Sequence, residues 1–273
     1  MMTQALLFTS TVIFGFAFAC LLISWFRSSV WARAGNYFLD LGFLLLCAIL
    51  FLEAMDVGVF LPVANRHQAM VFFAWSVLLV FLFVRRGSAR GSFGLVLLPL
   101  VTALVWSAAL GYSTEVKIPL KYLADQIFAV HTISAFLAYA AFAISFVTSI
   151  LYLLQHHALK SRRGGSFYQQ LPNLEELENI AFFTILLGVP LMTVTLITGF
   201  IWAKGEFGHY WVWEPKIVLA TVTWLVYSAL LYIRYVRSMH GSKVMRYLLF
   251  SFSSVLVTFL GSGIFYKTAH SIH

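Results

Sequence analysis

Residues 126–154, with the sequence QIFAVHTISAFLAYAAFAISFVTSILYLL, decide the fold class of this 273-residue chain. The stretch contains no Asp, Glu, Lys or Arg. As a helix it would be about 43 Å long, which exceeds the roughly 30 Å hydrocarbon core of a bilayer. It therefore predicts a membrane-spanning helix whose first turns, with His131, project beyond the hydrocarbon.

Seven further apolar stretches predict that the chain crosses the membrane eight times. The eight predicted spans are roughly 5–25, 37–55, 67–84, 93–110, 126–154, 181–202, 217–236 and 247–266. Of all residues, 61% are hydrophobic and only 10% are charged, whereas a soluble domain is nearer half apolar and a quarter charged. This composition excludes a soluble globular enzyme. We expect an all-α, polytopic membrane protein that forms one integral membrane domain over residues 1–273.

The basic residues of the loops predict the orientation. One set of loops carries twelve of them: Arg27, Arg33, Arg85, Arg86, Arg90, Lys160, Arg162, Arg163, Arg234, Arg237, Lys243 and Arg246. The opposite set carries six: Arg66, Lys117, Lys121, Lys204, Lys216 and Lys267. Because cytoplasmic loops are enriched in Lys and Arg, the first set is predicted to be cytoplasmic and both termini to lie on the outer face. The net charge of +8 is explained by these loops, so we expect membrane lipid and no nucleic acid as a partner.

Five of the eight histidines fall at or near the predicted outer face: His67, His131, His209, His270 and His273. Neutral imidazole is a good ligand for iron, zinc and copper, and haem iron takes axial histidines. Histidine at a membrane interface also serves many other roles, so both interpretations stay open for most of the five. His131 differs because it lies at the edge of the hydrocarbon, where a polar side chain needs a partner.

The predicted outer loop over residues 203–216, AKGEFGHYWVWEPK, is rich in aromatic residues. One interpretation is an interfacial aromatic belt, since Trp and Tyr favour the headgroup region, and composition alone favours it. A belt does not require two tryptophans two positions apart, followed by an acid, a proline and a lysine. The alternative is a platform for a large flat ligand, with Lys204, Lys216 or Lys267 pairing with its carboxylates.

The segment Phe207–Lys216 resembles the tryptophan-rich loop W-G-x-x-W-x-W-D-x-K of the cytochrome c assembly family. Residues 131–155 are similar to the span that precedes this loop, and Ala269–Ser271 is similar to the L-H-S element that follows it. The resemblance covers about residues 120–273. The chain departs from the pattern at three positions, with Glu214 for Asp, Phe207 for the first Trp and Ile217 for a Glu.

The resemblance implies a haem site on the outer face. In this family one histidine on each side of the loop ligates the iron, and these correspond to His131 and His270, with His273 as an alternative to His270. Trp211 and Trp213 would form the platform. The remaining loop positions implied to contact non-covalent haem b are Gly208, His209, Glu214 and Lys216.

The same resemblance implies a function in cytochrome c maturation. The protein would hold haem for attachment to apocytochrome c, without independent activity, as a component of a haem-attachment (cytochrome c synthase) complex with a CcsB-like membrane partner. A cytoplasmic (inner) membrane location is expected. The alternative is a HemX-type membrane regulator of the level of a haem-biosynthesis enzyme, for which the charged cytoplasmic residues 161–178 would be the working part. A third hypothesis, an anion transporter, lacks the internal repeat typical of such proteins.

Overall fold

The computed structural model describes residues 2–26, 29–84, 89–161, 171–211 and 213–269. These residues form helices joined by short connections, and none of them lies in a strand, which confirms the all-α prediction. The helices are α1 (Met2–Ser24), α2 (Ser29–Val57), α3 (Arg66–Val84), α4 (Ala89–Leu110), α5 (Leu120–Leu123), α6 (Gln126–Lys160), α7 (Leu174–Phe207), α8 (Pro215–Tyr235) and α9 (Ser242–Ala269).

Seven of the described helices, α1 to α4 and α6 to α8, are long and apolar enough to cross a membrane. The 28-residue helix α9 coincides with the eighth predicted span. Helices suit a membrane because each satisfies its own backbone hydrogen bonds where no water is present. The prediction of a polytopic membrane protein is confirmed.

Helices α6 and α7 are longer than the other described helices, with 35 and 34 residues. At helical rise they measure about 52 and 51 Å, roughly 20 Å more than the hydrocarbon core of a bilayer. A helix of this length tilts or extends into the headgroup region and beyond it. The end of α6 near His131 therefore has enough length to reach beyond the hydrocarbon.

The contacts divide the chain into two compact units. Unit 1 comprises Met1–Ala129 with His157–Asn173, and unit 2 comprises Val130–His156 with Leu174–His273. Within unit 1, α1 packs against α2 and α4, and α3 packs against α4. Within unit 2, α8 packs against α7 and α9.

Side chains of α6 contact the other three helices of unit 2. The ring of Phe142 stacks on Tyr227 of α8, with ring centroids 3.8 Å apart, and Phe146 stacks on Phe252 of α9 at 4.4 Å. On α7, Gly188 lies against Phe142 so closely that a Cβ there would be 2.6 Å from the ring. Small residues allow membrane helices to approach in this way. Helix α6 is thus fixed in its position by contacts with all three neighbours.

Polar side chains join α7 to α8 at two levels. The indole nitrogen of Trp224 donates to the hydroxyl of Thr193 at 2.8 Å. Further along, Arg234 forms an ion pair with Glu178 at 2.7 Å, and both side chains are nearly buried. Each group meets a partner inside the unit, as polar groups shielded from water require.

Candidate functional site

The imidazole of His131 is the centre of the site, and it is oriented by the backbone of α7. His131 Nδ1 donates a hydrogen bond to the carbonyl oxygen of Thr195 at 2.9 Å. Because a carbonyl oxygen only accepts, the hydrogen of the neutral ring lies on Nδ1 and the lone pair on Nε2. None of the described residues forms a hydrogen bond to Nε2. The half-buried ring therefore presents an unengaged ligating atom.

Gly199 allows the ring to lie directly against α7. A Cβ at this position would be 3.0 Å from Cε1 of His131 and 3.2 Å from Nδ1. Both distances are shorter than an ordinary van der Waals contact of about 3.5 Å or more. Gly199 follows Thr195, whose carbonyl accepts the hydrogen bond, by one helical turn, so Thr195 and Gly199 together form the surface that holds the imidazole.

A pair of hydroxyl groups fixes α6 against α7 beside this surface. Ser134 Oγ and Thr195 Oγ1 are 2.9 Å apart and hydrogen-bonded. One hydroxyl donates to the other, and the accepting hydroxyl is placed to donate to a carbonyl of its own helix, that of Val130 at 2.7 Å for Ser134 or that of Leu191 at 2.9 Å for Thr195. Since Ser134 lies three residues after His131, the two helices are tied together within one turn of the imidazole.

The loop that follows α7 begins with a glycine cap and a lysine–tyrosine contact. Gly208 has a φ of +77°, and its N–H donates to the carbonyl of Lys204 at 3.0 Å, an arrangement typical of helix C-termini. Lys204 Nζ donates to the hydroxyl of Tyr210 at 2.6 Å and lies 4.3 Å from the centre of its ring. His209, which lies between Gly208 and Tyr210 in the sequence, is exposed. The loop is thereby folded back toward the end of α7.

Trp211 and Trp213 form an open aromatic surface. Their rings meet edge to face with centroids 5.5 Å apart, and Trp211 also contacts Phe200 of α7 at 5.8 Å. The exposed fraction is 37% for Trp211 and 82% for Trp213. Phe200 follows Gly199 directly, so one turn of α7 contacts both His131 and the tryptophan pair. The aromatic surface is available to a flat apolar ligand.

Glu214 and Lys216 begin α8. The backbone of Glu214 is extended and precedes Pro215, which occupies the first position of the helix, where its missing N–H costs no hydrogen bond. Both charged side chains are exposed, and Lys216 is close enough to His131 to act on it electrostatically. A basic side chain therefore lies near the imidazole of His131.

His67, which the sequence placed with the outer-face histidines, belongs to unit 1 and is fully engaged there. Its Nε2 donates to Oε1 of Glu53 at 2.9 Å, its Nδ1 accepts from the backbone N–H of Ser113 at 3.4 Å, and its ring lies against Tyr112. His67 and Glu53 are buried. Both ring nitrogens are used within the unit, so His67 has a structural role.

The remaining predicted ligands, His270 and His273, lie outside the described residues. Thr195 and Gly199 were missed by the sequence analysis. A glycine within the predicted sixth span is a signal of close helix approach. The sequence has no feature that identifies His131, 68 positions earlier, as the side chain that Gly199 contacts.

The donor set suits haem better than a bare metal ion. Within the described ranges, no group of three or more His, Cys, Asp and Glu side chains is arranged to hold a metal ion. Haem iron needs only one or two axial ligands from the protein, because the porphyrin supplies the other nitrogens. A metal-ligating histidine almost always donates its other N–H to a carbonyl or carboxylate, as His131 does to Thr195. The residues present fit haem.

Comparison with known proteins decides the family. The family model described as "Cytochrome C assembly protein" matches residues 63–270. The chain belongs to the cytochrome c assembly protein family. The family match begins well before residue 120, where the recognisable motifs start, and so includes α3 and α4.

Members of the cytochrome c assembly protein family that resemble this chain carry two different names. Protein HemX of Brevibacillus brevis is 30% identical over 216 residues, which cover 77% of this chain and 76% of HemX. The cytochrome c biogenesis protein CcsA of Guillardia theta is 26% identical over 230 residues, with 78% and 76% covered. CcsA of Microcystis aeruginosa is 27% identical over 275 residues, with 84% of each chain covered. No solved structure matches significantly.

Proposed function

We propose that this membrane protein binds haem b non-covalently and holds it for attachment to apocytochrome c. The orientation of His131 carries the proposal. Its Nδ1–H is bound to the carbonyl of Thr195, none of the described residues forms a hydrogen bond to Nε2, and the turn of α7 that contacts His131 also contacts Trp211 through Phe200. The relatives named CcsA have cytochrome c biogenesis in their names, which supports the same function.

Different described residues would contact the iron, the ring and a carboxylate of haem. His131 Nε2 would ligate the iron, and Trp211 and Trp213 would cover part of one face of the macrocycle. Lys216 would pair with a carboxylate, since it is exposed and acts on His131 electrostatically. Bound haem would supply vinyl groups for thioether formation, while the protein would supply orientation and exclude water from the iron.

The second axial ligand and the partners follow from the family resemblance. We assign the second ligand to His270, with His273 as the alternative, and expect Gly208, His209 and Glu214 to line the haem edge. A CcsB-like membrane protein and apocytochrome c are the proposed partners. The outer face of the cytoplasmic membrane is the proposed location.

The test is the absorption spectrum of the full-length protein purified in detergent from haem-replete cells, oxidised and then reduced. We expect a sharp reduced α-band that His131→Gly abolishes or shifts and that added imidazole partly restores. His240→Gly is the matched control, because His240 also bonds to a backbone carbonyl but is exposed in the α8–α9 connection. A colourless wild-type protein, or a His131→Gly spectrum identical to wild type, would overturn the proposal.

The identity to HemX of Brevibacillus brevis favours one alternative, a membrane regulator of the level of a haem-biosynthesis enzyme. In that case the working part would lie in residues 161–178, of which Glu175 is exposed in the first turn of α7. Glu175→Lys would then change the abundance of that enzyme in cells, whereas His131→Gly would not. The haem-holding function predicts the reverse dependence.

A further inference from the structure

We infer that Gly199 is a positioning residue for the haem iron ligand. The absence of a side chain at Gly199 sets where the imidazole of His131 lies, and hence where Nε2 points. This inference rests on the proposed haem-holding function and deepens it. Gly199 would not touch the haem and would act only through His131.

The contact geometry places Gly199 beside the hydrogen bond that orients the ring. An added methyl group would meet Cε1 at 3.0 Å and Nδ1 at 3.2 Å. Nδ1 is the atom that donates to the carbonyl of Thr195 at 2.9 Å. The ring would have to shift by a few tenths of an ångström, and a shift away from α7 would lengthen that bond.

The helices cannot move apart easily to relieve this contact. The hydroxyl pair of Ser134 and Thr195 ties α6 to α7 within a turn of His131. Three turns away, Phe142 of α6 is held between Gly188 of α7 and Tyr227 of α8. Adjusting the side-chain torsion angles of His131 costs less than moving either constrained helix, so the imidazole is the part that would shift.

The same turn of α7 also positions the aromatic surface. Phe200, adjacent to Gly199, contacts Trp211 at 5.8 Å between ring centroids. A methyl group on Gly199 would displace Nε2 while leaving Phe200 and Trp211 in place. The imidazole of His131 would then be displaced relative to the tryptophans, and the experiment measures the effect of this displacement on haem binding.

The experiment compares Gly199→Ala with Gly188→Ala in the full-length protein in detergent. Both substitutions add one methyl group to α7 at a close contact with α6, about 16 Å apart along the helix, but only the first faces His131. Each protein, freed of haem, is titrated with haemin, and the α-band position and carbon monoxide binding are recorded. Losing the support of a ligating histidine typically weakens metal affinity about 10-fold to 100-fold.

For Gly199→Ala we expect haemin affinity to decrease about 10-fold to 100-fold. We also expect the α-band to shift and carbon monoxide to bind more readily to the reduced protein. Gly188→Ala is expected to lower thermal stability while the folded protein keeps the wild-type spectrum. Equal spectra for Gly199→Ala and wild type would overturn the inference, and so would equal spectral changes in both variants. The His131→Gly variant distinguishes failure of the inference about Gly199 from failure of the proposed function, because a wild-type spectrum in that variant would overturn the proposed function itself.

Discussion

The groups that orient His131 belong to the backbone of α7 and are not polar or charged side chains. One partner is the backbone carbonyl of Thr195, which no side-chain substitution removes. The other is Gly199, whose lack of a side chain leaves room for the ring. A carbonyl holds the neutral imidazole in one tautomer without adding a charge beside the ring. The orientation of this residue therefore depends on backbone atoms 64 positions away.

The two tryptophans of the loop are expected to respond differently to substitution by alanine. Trp213 is 82% exposed and loses only its contact with Trp211, so Trp213→Ala should lower thermal stability less than Trp211→Ala does and should weaken haemin retention. Trp211 contacts both Phe200 and Trp213, so Trp211→Ala should also destabilise the protein, by about 1 kcal/mol for the lost aromatic contacts. Thermal unfolding and haemin titration of both variants check this. Unchanged haemin binding in both would contradict a platform and favour an interfacial belt.

At the scale of elements, α7 combines several contacts along 34 residues. Glu178 near its beginning pairs with Arg234 of α8, Gly188 in its middle receives Phe142, and the turn from Thr195 to Phe200 forms the site. The contacts near its beginning and in its middle hold α7 within unit 2. The local geometry at His131 is set by the turn from Thr195 to Phe200.

The ion pair between α7 and α8 gives a stability prediction. Glu178→Ala would leave Arg234 nearly buried without its carboxylate, and removing one partner of such a pair costs about 3 kcal/mol. We expect a lower unfolding temperature in detergent. Glu175→Ala removes an exposed carboxylate one turn earlier in the same helix and should change stability little. If both variants unfolded at the same temperature as wild type, the pair would not contribute to packing α8 on α7.

At the scale of the whole molecule, the described site residues all belong to unit 2. Unit 1 has its own buried polar contacts, which hold together the connections that follow α2 and α4. Asn65 donates to the carbonyl oxygens of Ser113 and Glu115, and the pair of Glu53 and His67 lies beside them. These contacts stabilise unit 1.

This division predicts that stability and haem binding can be separated. Glu53→Ala would leave the buried N–H of His67 without its acceptor and should destabilise the protein by about 2 kcal/mol, while folded protein keeps the wild-type haem spectrum. Asp56→Ala, at an exposed position three residues later, is the control and should change neither. Unfolding curves and absorption spectra of the two variants are compared. A shifted α-band in folded Glu53→Ala would show that unit 1 influences the site.

The sequence by itself determined the membrane class, the helices and the family. Hydropathy and span length are local properties, so 126–154 predicted α6 without knowledge of its neighbours. The loop motif around Trp211 and Trp213 is also contiguous, and the family match confirmed the resemblance that it carries. Histidines could be sorted to a predicted membrane face, but position along a span does not state what a side chain contacts.

Only the tertiary structure decided which histidines are free to bind. The sequence placed His67 and His131 at the same predicted membrane face; in the structure His67 has both ring nitrogens engaged with Glu53 and Ser113, whereas His131 has Nε2 without a hydrogen bond from the described residues. The role of Gly199 also emerged only from packing. The physical reason is that these properties depend on contacts between distant residues, which are set by how the helices pack and not by any local pattern.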